Sequence, residues 1–312
     1  MADAGFLRLE GLVRRFGERV AVDGLTVEVA RGEVFGFLGP NGAGKTTTFH
    51  LLTGLLAPDA GRIVIDGREA PPTDGRVRAR LGVVFQDPSL DDKLTARENL
   101  KLGAALYGLG GKRAAARIDE LLALVELGDR AKEPVERFSG GMKRRLELAR
   151  VLLHEPEILV MDEPSRGIDA ATQRRIWEQL LELRRQRRVT ILLTTHQPEE
   201  AEYCDRIAVL DHGRVIACAT PDALRAQVGG DVVRLEGDDA DALAAEVQAR
   251  FSLAARVVDD GNDRSVVIET PRGHEIIPRL VEALPAGRLR AVGMRRPTLA
   301  DVFVHLTGRG MS

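Results

Sequence analysis

The segment with the clearest chemistry is a glycine-rich loop at residues 39–46. It fits the phosphate-loop pattern G-x-x-x-x-G-K-[S/T] at every fixed position, as Gly39-Pro40-Asn41-Gly42-Ala43-Gly44-Lys45-Thr46. Only a loop with little side-chain bulk can wrap a polyphosphate with inward-pointing N–H groups, and the helix that follows points its positive end at the anion. Lys45 can reach the β- and γ-phosphates, and the Thr46 hydroxyl is placed to ligate Mg²⁺. The loop predicts a site for a nucleoside triphosphate.

Two adjacent acids end an apolar run further along the chain. Asp162 and Glu163 follow residues 158–161, which predict a buried strand, and Pro164 follows them. Because neighbours in a strand point to opposite sides, the two carboxylates can serve different functions. Asp162 can hold Mg²⁺ through water, and Glu163 can orient and deprotonate an attacking water. The alternative is that both are simply solvated at the end of a strand.

A second glycine-rich segment lies at residues 138–142. Ser139, followed by Gly140 and Gly141, predicts the N-cap of a helix. Three cations at residues 143–145 then crowd the first turns, where positive charge opposes the helix macrodipole by a few tenths of a kcal/mol each. Either an anion bound at that terminus or a solvated basic face accounts for this basic run, and charge alone does not decide between them.

The composition is that of a globular protein. The chain has 312 residues, 44% hydrophobic and 29% charged, and this length suits one large domain with a smaller one. Its net charge of −2 gives no global signal for nucleic acid. We expect a cytoplasmic chain, because no apolar run reaches the roughly 20 residues of a membrane helix and the N-terminus lacks a signal pattern. Cys204 and Cys218 show no metal-site spacing and suit reduced core positions.

The predicted elements form an α/β protein. Short apolar runs alternate with amphipathic stretches, which is typical of parallel strands with crossover helices. We expect strands at 33–38, 62–67, 81–85, 158–161 and 190–193, a helix at 46–52, and an inserted helical subdomain at about 95–150. Beyond Gly229-Gly230, a β-α-β-β-α-β order and a last short helix at 298–306 suggest a small α+β domain of ferredoxin-like type. The predicted domains are 1–228 and 229–312.

The motifs occur in an order that resembles the ATPase subunit of ABC transporters, the nucleotide-binding domain, over roughly residues 6–220. The resemblance implies a P-loop core, ATP and Mg²⁺ as ligands, and ATPase activity. Residues 84–87 resemble the glutamine loop that faces the membrane partner, 138–142 the signature segment and 165–169 the D-loop. The resemblance also implies catalytic roles for Glu163, His196 and Lys45, with Glu163 as general base and His196 as γ-phosphate sensor. The implied metal ligands are Thr46, Gln86 and Asp162. The implied nucleotide-binding residues are Phe16, stacked on adenine, and Gly39, Pro40, Asn41, Gly42, Ala43, Gly44, Lys45, Thr46, Thr47, Gln86, Ser139, Gly140, Gly141 and Asp169.

Some positions depart from the family pattern. In the signature segment, Phe138 and Met142 replace the usual Leu and Gln. The D-loop has Ser165 and Ile168 where Thr and Leu are commoner, and Phe16 replaces the usual Tyr. None of these changes removes a catalytic group, so we expect an active enzyme.

Residues 85–100 and 296–303 resemble the drug-resistance branch of the family, of daunorubicin-resistance type, which pairs with ABC-2 permeases. The resemblance implies a head-to-tail homodimer that shares each ATP and drives export through a separate permease. The chain would then be peripheral on the inner face of the membrane. Two alternatives stay open: a nucleic-acid or ribosome factor, supported by the basic run Arg184-Arg185-Gln186-Arg187-Arg188, and a regulatory ATPase without a permease. We expect no nucleic acid, since cations at a helix C-terminus are favourable without a partner.

Overall fold

The computed structural model describes residues 5–71, 73–87, 89–259, 264–285 and 288–310. The strands are β1 (Leu7–Phe16), β2 (Arg19–Val29), β3 (Val34–Leu38), β4 (Ala60–Ile65), β5 (Arg68–Glu69), β6 (Leu81–Val84), β7 (Ile158–Asp162), β8 (Thr190–Thr195), β9 (Arg206–Asp211), β10 (Arg214–Ala219), β11 (Asp231–Glu236), β12 (Ala255–Asp259), β13 (Arg264–Thr270) and β14 (Ala291–Arg295). The helices are α1 (Lys45–Thr53), α2 (Gly75–Arg78), α3 (Ala96–Leu106), α4 (Gly111–Leu124), α5 (Gly140–Val151), α6 (Ala170–Arg187), α7 (Pro198–Ala201), α8 (Pro221–Arg225), α9 (Ala240–Phe251), α10 (Gly273–Ala283) and α11 (Leu299–Thr307).

A six-stranded sheet forms the centre of the molecule, in the order β10-β9-β3-β8-β7-β6. Strands β3, β6, β7, β8 and β9 run parallel, and only β10 at the edge is antiparallel. One apolar cluster covers each face of this sheet, which explains why β3, β7 and β8 are apolar without alternation. The predicted strands at 33–38, 81–85, 158–161 and 190–193 are confirmed, and the carboxyl ends of β3, β7 and β8 lie side by side.

A second sheet, β2-β1-β4-β5, is antiparallel and packs against α1 and one face of the central sheet. The sequence interpretation missed β1 and β2. Register shifts interrupt their pairing between Leu9 and Leu12 and again between Leu12 and Arg15, so the alternation of apolar and polar residues is broken. This sheet carries Phe16 at the end of β1.

Helices α3, α4 and α5 pack together over residues 96–151, the range in which the sequence predicts a helical subdomain. Helix α3 begins with a complete capping box, in which Thr95 and Glu98 each accept a hydrogen bond from the other's backbone N–H. The carbonyl oxygens of Glu133 and Ala131 accept from the first turn of α3, and this ties the helix to the segment that leads into α5. This segment places Ser139 at the start of α5.

The C-terminal sheet has the order β12-β13-β11-β14 and is antiparallel throughout, with α9 and α10 against it. This confirms the predicted β-α-β-β-α-β ferredoxin-like order. The sequence predicts the last strand of this order at 289–292, and the structure has it slightly later, at Ala291–Arg295. Helix α11, which follows this sheet, packs against α7 and α8. Its Val302 and Phe303 are fully buried in the apolar cluster that also covers one face of the central sheet. The predicted division at 228/229 falls between α8 and β11 and stays a prediction.

Candidate nucleotide site

The phosphate loop connects β3 to α1, and two of its glycines are required by close backbone approaches. A Cβ on Gly39 would lie 2.5 Å from the carbonyl oxygen of Leu210, and one on Gly44 would lie 2.4 Å from that of Ala21. Gly44 also has a φ of 100°, which disfavours any other residue. The β9–β10 turn supports the same loop, because the Gly213 N–H donates to the carbonyl oxygen of Ala43 over 3.0 Å.

The ammonium of Lys45 is buried inside this loop. Its Nζ donates to the carbonyl oxygens of Gly39, at 2.8 Å, and Pro40, at 3.0 Å. Burial lowers the pKa of Lys45, and the negative charges of Glu163 and Asp162 oppose that shift. The ammonium of Lys45 therefore already lies at the phosphate loop, and phosphate oxygens can replace the two carbonyl oxygens as its acceptors.

A cavity of about 280 Å³ opens between the phosphate loop, the end of β1 and the acid that follows β7. Its lining residues are Phe16, Arg19, Ala21, Asn41, Gly42, Gly44, Lys45, Thr46, Thr47 and Glu163. Phe16 is half exposed, and the guanidinium of Arg14 lies 5.0 Å from the centre of its ring. Arg19 was not predicted. It enters the lining because the β1–β2 hairpin, which the sequence interpretation missed, folds back over the loop.

The two acids lie where the central sheet meets this loop. Asp162 is the last residue of β7 and is buried, and its carboxylate accepts a hydrogen bond from the Thr194 hydroxyl. Burial raises the pKa of Asp162, although the Thr194 hydrogen bond acts in the opposite direction. Glu163 has already left the strand, with a φ of 45°, while its N–H donates to the carbonyl oxygen of Thr194 over 3.0 Å. The expectation that strand alternation separates the two carboxylates is therefore corrected: the chain turns sharply between them.

His196 lies at the end of the neighbouring strand β8 and contacts Glu163. Its Nδ1 is 3.0 Å from Oε1 of Glu163. Three residues predicted to act in hydrolysis, Lys45, Glu163 and His196, are thus brought together by the ends of β3, β7 and β8. Such an arrangement can hold a phosphate, orient a water and accept its proton.

The donor set fits Mg²⁺ in the presence of a nucleotide. Mg²⁺ is usually held by one or two carboxylates together with phosphate oxygens and water. Asp162 provides a buried carboxylate and Thr46 a hydroxyl beside the cavity. Across the residues that the structure describes, no group of three or more His, Cys, Asp or Glu side chains is arranged to hold a metal by itself. A metal here would therefore bind together with the phosphates.

The signature segment lies elsewhere. Ser139 is the N-cap of α5, and its Oγ accepts from the N–H of Met142 over 3.3 Å. A Cβ on Gly141 would lie 2.6 Å from Cγ2 of Thr172, whose N–H donates to Asp169 in the D-loop. That hydrogen bond lowers the pKa of Asp169. The signature segment and the D-loop thus meet each other, but residues 139–141 and Asp169 do not line the cavity at the phosphate loop.

The three cations at residues 143–145 all have partners within the chain. Arg144 is buried in an ion pair with Glu147, Lys143 pairs with Asp92 at 2.7 Å, and Arg145 donates to the carbonyl oxygen of Val125 over 2.9 Å. A solvated face is wrong for Arg144, which is buried, and an anion bound at the start of α5 stays a prediction. These partners offset the conflict with the macrodipole. Glu147 lies three residues from Arg144 on the same helix, whereas the partners of Lys143 and Arg145 are distant in sequence, and the charge pattern alone does not show them.

Gln86 follows β6 and faces the D-loop. Its side-chain amide lies against the guanidinium of Arg166. It does not line the cavity at the phosphate loop. Its predicted role as a metal ligand stays a prediction.

Comparisons with known proteins decide the family. A family model described as ABC transporter matches residues 22–166, and one described as ATP-binding protein DrrA1-3-like, C-terminal domain, matches residues 220–307. Daunorubicin resistance ATP-binding protein DrrA3 of Streptomyces coeruleorubidus is 43% identical over 99% of this chain and 97% of its own length. The chain belongs to the ABC transporter ATPase family.

Further comparisons agree with this assignment of the ABC ATPase. Nod factor export ATP-binding protein I of Ralstonia nicotianae is 42% identical over 98% of this chain and 94% of that protein. A solved structure, the dimeric post-hydrolysis state of the ATP-binding cassette MJ0796 bound to ADP and Pi, matches with a TM-score of 0.62. It is 27% identical and covers 69% of this chain and 98% of its own. The chain is therefore an ATPase of the daunorubicin-resistance-type branch. No helix in the described ranges is long and apolar enough to cross a membrane.

Proposed function

We propose that this ABC ATPase binds ATP and Mg²⁺ between two copies arranged head to tail and powers export through a separate ABC-2 type permease. The observation that carries the proposal is that the two halves of the site do not line one cavity. The phosphate loop, Glu163 and His196 form one face, whereas Ser139 begins α5 outside the cavity that they line. A second copy can supply the missing signature segment, and the dimeric cassette MJ0796 supports that arrangement.

In this proposal each residue of the phosphate-loop face has a definite task. Lys45 exchanges its two carbonyl partners for phosphate oxygens, and Glu163 accepts the proton of the attacking water. The Nδ1 of His196 contacts the Glu163 carboxylate, and the same imidazole contacts the γ-phosphate when ATP is bound. When bound, Mg²⁺ would neutralise phosphate charge, with Thr46 and Asp162 as its protein ligands.

A groove beside the glutamine loop suits a permease contact. It has a volume of about 620 Å³ and lies between residues 89–93 and helix α3. Leu102 and Leu106 of α3 line it, and Leu106 is 77% exposed. The relatives named for drug resistance and Nod factor export support an export partner. On this proposal the chain lies at the inner face of the membrane through that partner.

The nucleic-acid alternative depends on the run at residues 184–188, and three of its four arginines are paired within the chain. Arg184 pairs with Asp205 at 2.8 Å, Arg185 with Glu182, and Arg187 with both Glu120 and Glu155. These ion pairs neutralise most of the charge that phosphate contacts would need. This favours the transporter function.

The test replaces Glu163 with Gln. The variant should bind ATP as wild type does, lose hydrolysis, and accumulate as an ATP-bound dimer in sedimentation velocity. Glu199→Gln, an exposed acid on α7, is the matched control and should turn over normally. Hydrolysis at the wild-type rate by Glu163→Gln would refute the assignment of the base. Co-purification of the tagged wild-type chain with an ABC-2 type permease tests the partner, and affinity for nucleic acid with a steep salt dependence would revive the alternative.

A further inference from the structure

Helix α5 carries an ion pair that is almost completely buried. Nη1 of Arg144 lies 2.8 Å from Oε2 of Glu147, and the two side chains are 6% and 0% exposed. Burying two charges is costly unless further hydrogen bonds satisfy them. The contacts of this pair therefore show what it holds in place.

Arg144 holds the backbone on both sides of Glu163. Its Nε donates to the carbonyl oxygen of Pro164 over 2.9 Å, and its Nη2 donates to that of Asp162 over 3.4 Å. The backbone of Glu163 is in the left-handed region, so this sharp turn needs support from its neighbours. A guanidinium, with five donors in a rigid fork, can hold several carbonyl oxygens at once.

The same pair holds the backbone before and after Gln86. Nη1 of Arg144 donates to the carbonyl oxygen of Phe85, which directly precedes Gln86. On the other side, Oε1 of Glu147 accepts from the N–H of Ser89 at 3.1 Å and from its hydroxyl at 3.3 Å. Gln86 thus lies between two backbone positions that are fixed to α5.

We infer that Arg144 and Glu147 are positioning residues that fix Gln86 and Glu163 to the helix that begins at Ser139. The inference rests on the proposed function, in which Ser139 acts on the ATP held by the partner copy. A displacement of α5 on closure of one site would then be transmitted to the base and the glutamine loop of the other site. This gives a physical route by which the two sites of the dimer influence each other.

A positioning role differs from mere filling of the core in a measurable way. The double variant Arg144→Met with Glu147→Leu replaces the pair by apolar side chains of similar size, and such replacements are often neutral or stabilising. The fold is then kept, but the carbonyl oxygens beside Glu163 and Gln86 lose their donors. Displacement of reacting groups by about 1 Å can lower a rate about 100-fold.

The experiment measures kcat, KM for ATP and the thermal midpoint of the full-length double variant. We expect a midpoint near that of wild type, KM within about threefold, and kcat lowered at least about tenfold. Arg144→Lys provides a second arm: lysine keeps the charge beside Glu147 but cannot hold three carbonyl oxygens, so kcat should fall again. Arg117→Met is the matched control, because Arg117 is also buried and donates to a carbonyl oxygen, that of Leu152 at 2.7 Å, away from the site.

Wild-type kcat in either the double variant or Arg144→Lys overturns the inference. So does an equal loss of kcat in Arg117→Met, since the effect would then be general to buried arginines. If the double variant fails to fold, Arg144→Lys alone decides. Dimer formation by Glu163→Gln with ATP is measured in parallel and tests the shared site itself. If that dimer forms but the Arg144 variants keep wild-type kcat, this inference fails and the proposed function stands.

Discussion

Among single residues, Glu163 has the most constrained surroundings in the site. His196 contacts its carboxylate, the carbonyl oxygen of Thr194 accepts from its N–H, and Arg144 holds the carbonyl oxygens of the residues on either side. Its φ of 45° is costly for a residue with a side chain. Strain of this kind persists where several contacts fix the geometry, and here they fix the position of the acid that we propose as the general base.

Gly44 provides a sharp residue-scale prediction. Gly44→Ala should abolish nucleotide binding, because the new Cβ would lie 2.4 Å from the carbonyl oxygen of Ala21 and force the loop to move. Gly67→Ala is the control, since Gly67 also has a positive φ but nothing lies within 4 Å of its Cβ position. That variant should lose about 1–2 kcal/mol of unfolding free energy and keep its affinity for nucleotide. Titration with a fluorescent ATP analogue checks both, and tight binding by Gly44→Ala would contradict the argument.

At the scale of elements, the C-terminal helix α11 joins the small sheet to the large domain. Its capping box is formed by Thr298 and Asp301, and Asp301 also pairs with Arg295 of β14. Burial opposes ionisation of Asp301, but the hydrogen bonds from Arg295 and Thr298 outweigh it and lower the pKa of this carboxyl. The carboxylate therefore stabilises the connection between β14 and α11.

We predict that Asp301→Asn lowers the unfolding free energy at pH 7 by about 1–2 kcal/mol. Because the folded-state pKa is lowered, this stabilisation is present above the unfolded pKa of about 3.9 and is lost as the pH falls through the folded pKa. The difference between wild type and variant should therefore shrink below about pH 4. Urea unfolding followed by circular dichroism measures it. Asp222→Asn, which removes an exposed ion pair with Arg225, should cost less than about 1 kcal/mol at pH 7.

Elements with a strong local pattern could be predicted, and elements that depend on distant contacts could not. The apolar strands β7 and β8 have the predicted type and place, and helix α9 covers the residues 240–251 for which the sequence predicts a helix. Strands β1 and β2 were missed because bulges interrupt their alternation. The motif residues after β3 and at the end of β7 were predicted from residue types and spacing, and His196 after β8 from the resemblance to the family. The positions of Arg19 and Arg144 were not, because each depends on a contact between segments far apart in the chain.

At the scale of the whole molecule, the C-terminal end of the chain reaches the structure that supports the phosphate loop. Arg309 pairs with Asp211 and contacts His212 in the β9–β10 turn. The next residue of that turn, Gly213, donates to Ala43 in the phosphate loop. The C-terminal segment is therefore connected to the nucleotide site through one hairpin turn.

In the proposed dimer, each ATP is held by the phosphate loop of one copy and by Ser139 of the other. The most direct test mixes two inactive chains, Lys45→Ala and Ser139→Arg, and measures ATP hydrolysis. In a mixed dimer both defects fall in one site, and the other site is intact. Equal mixing gives about half mixed dimers, so we predict recovery of about a quarter of the wild-type activity per chain when the sites act independently. A mixture no more active than the sum of the two separate variants would contradict the shared site.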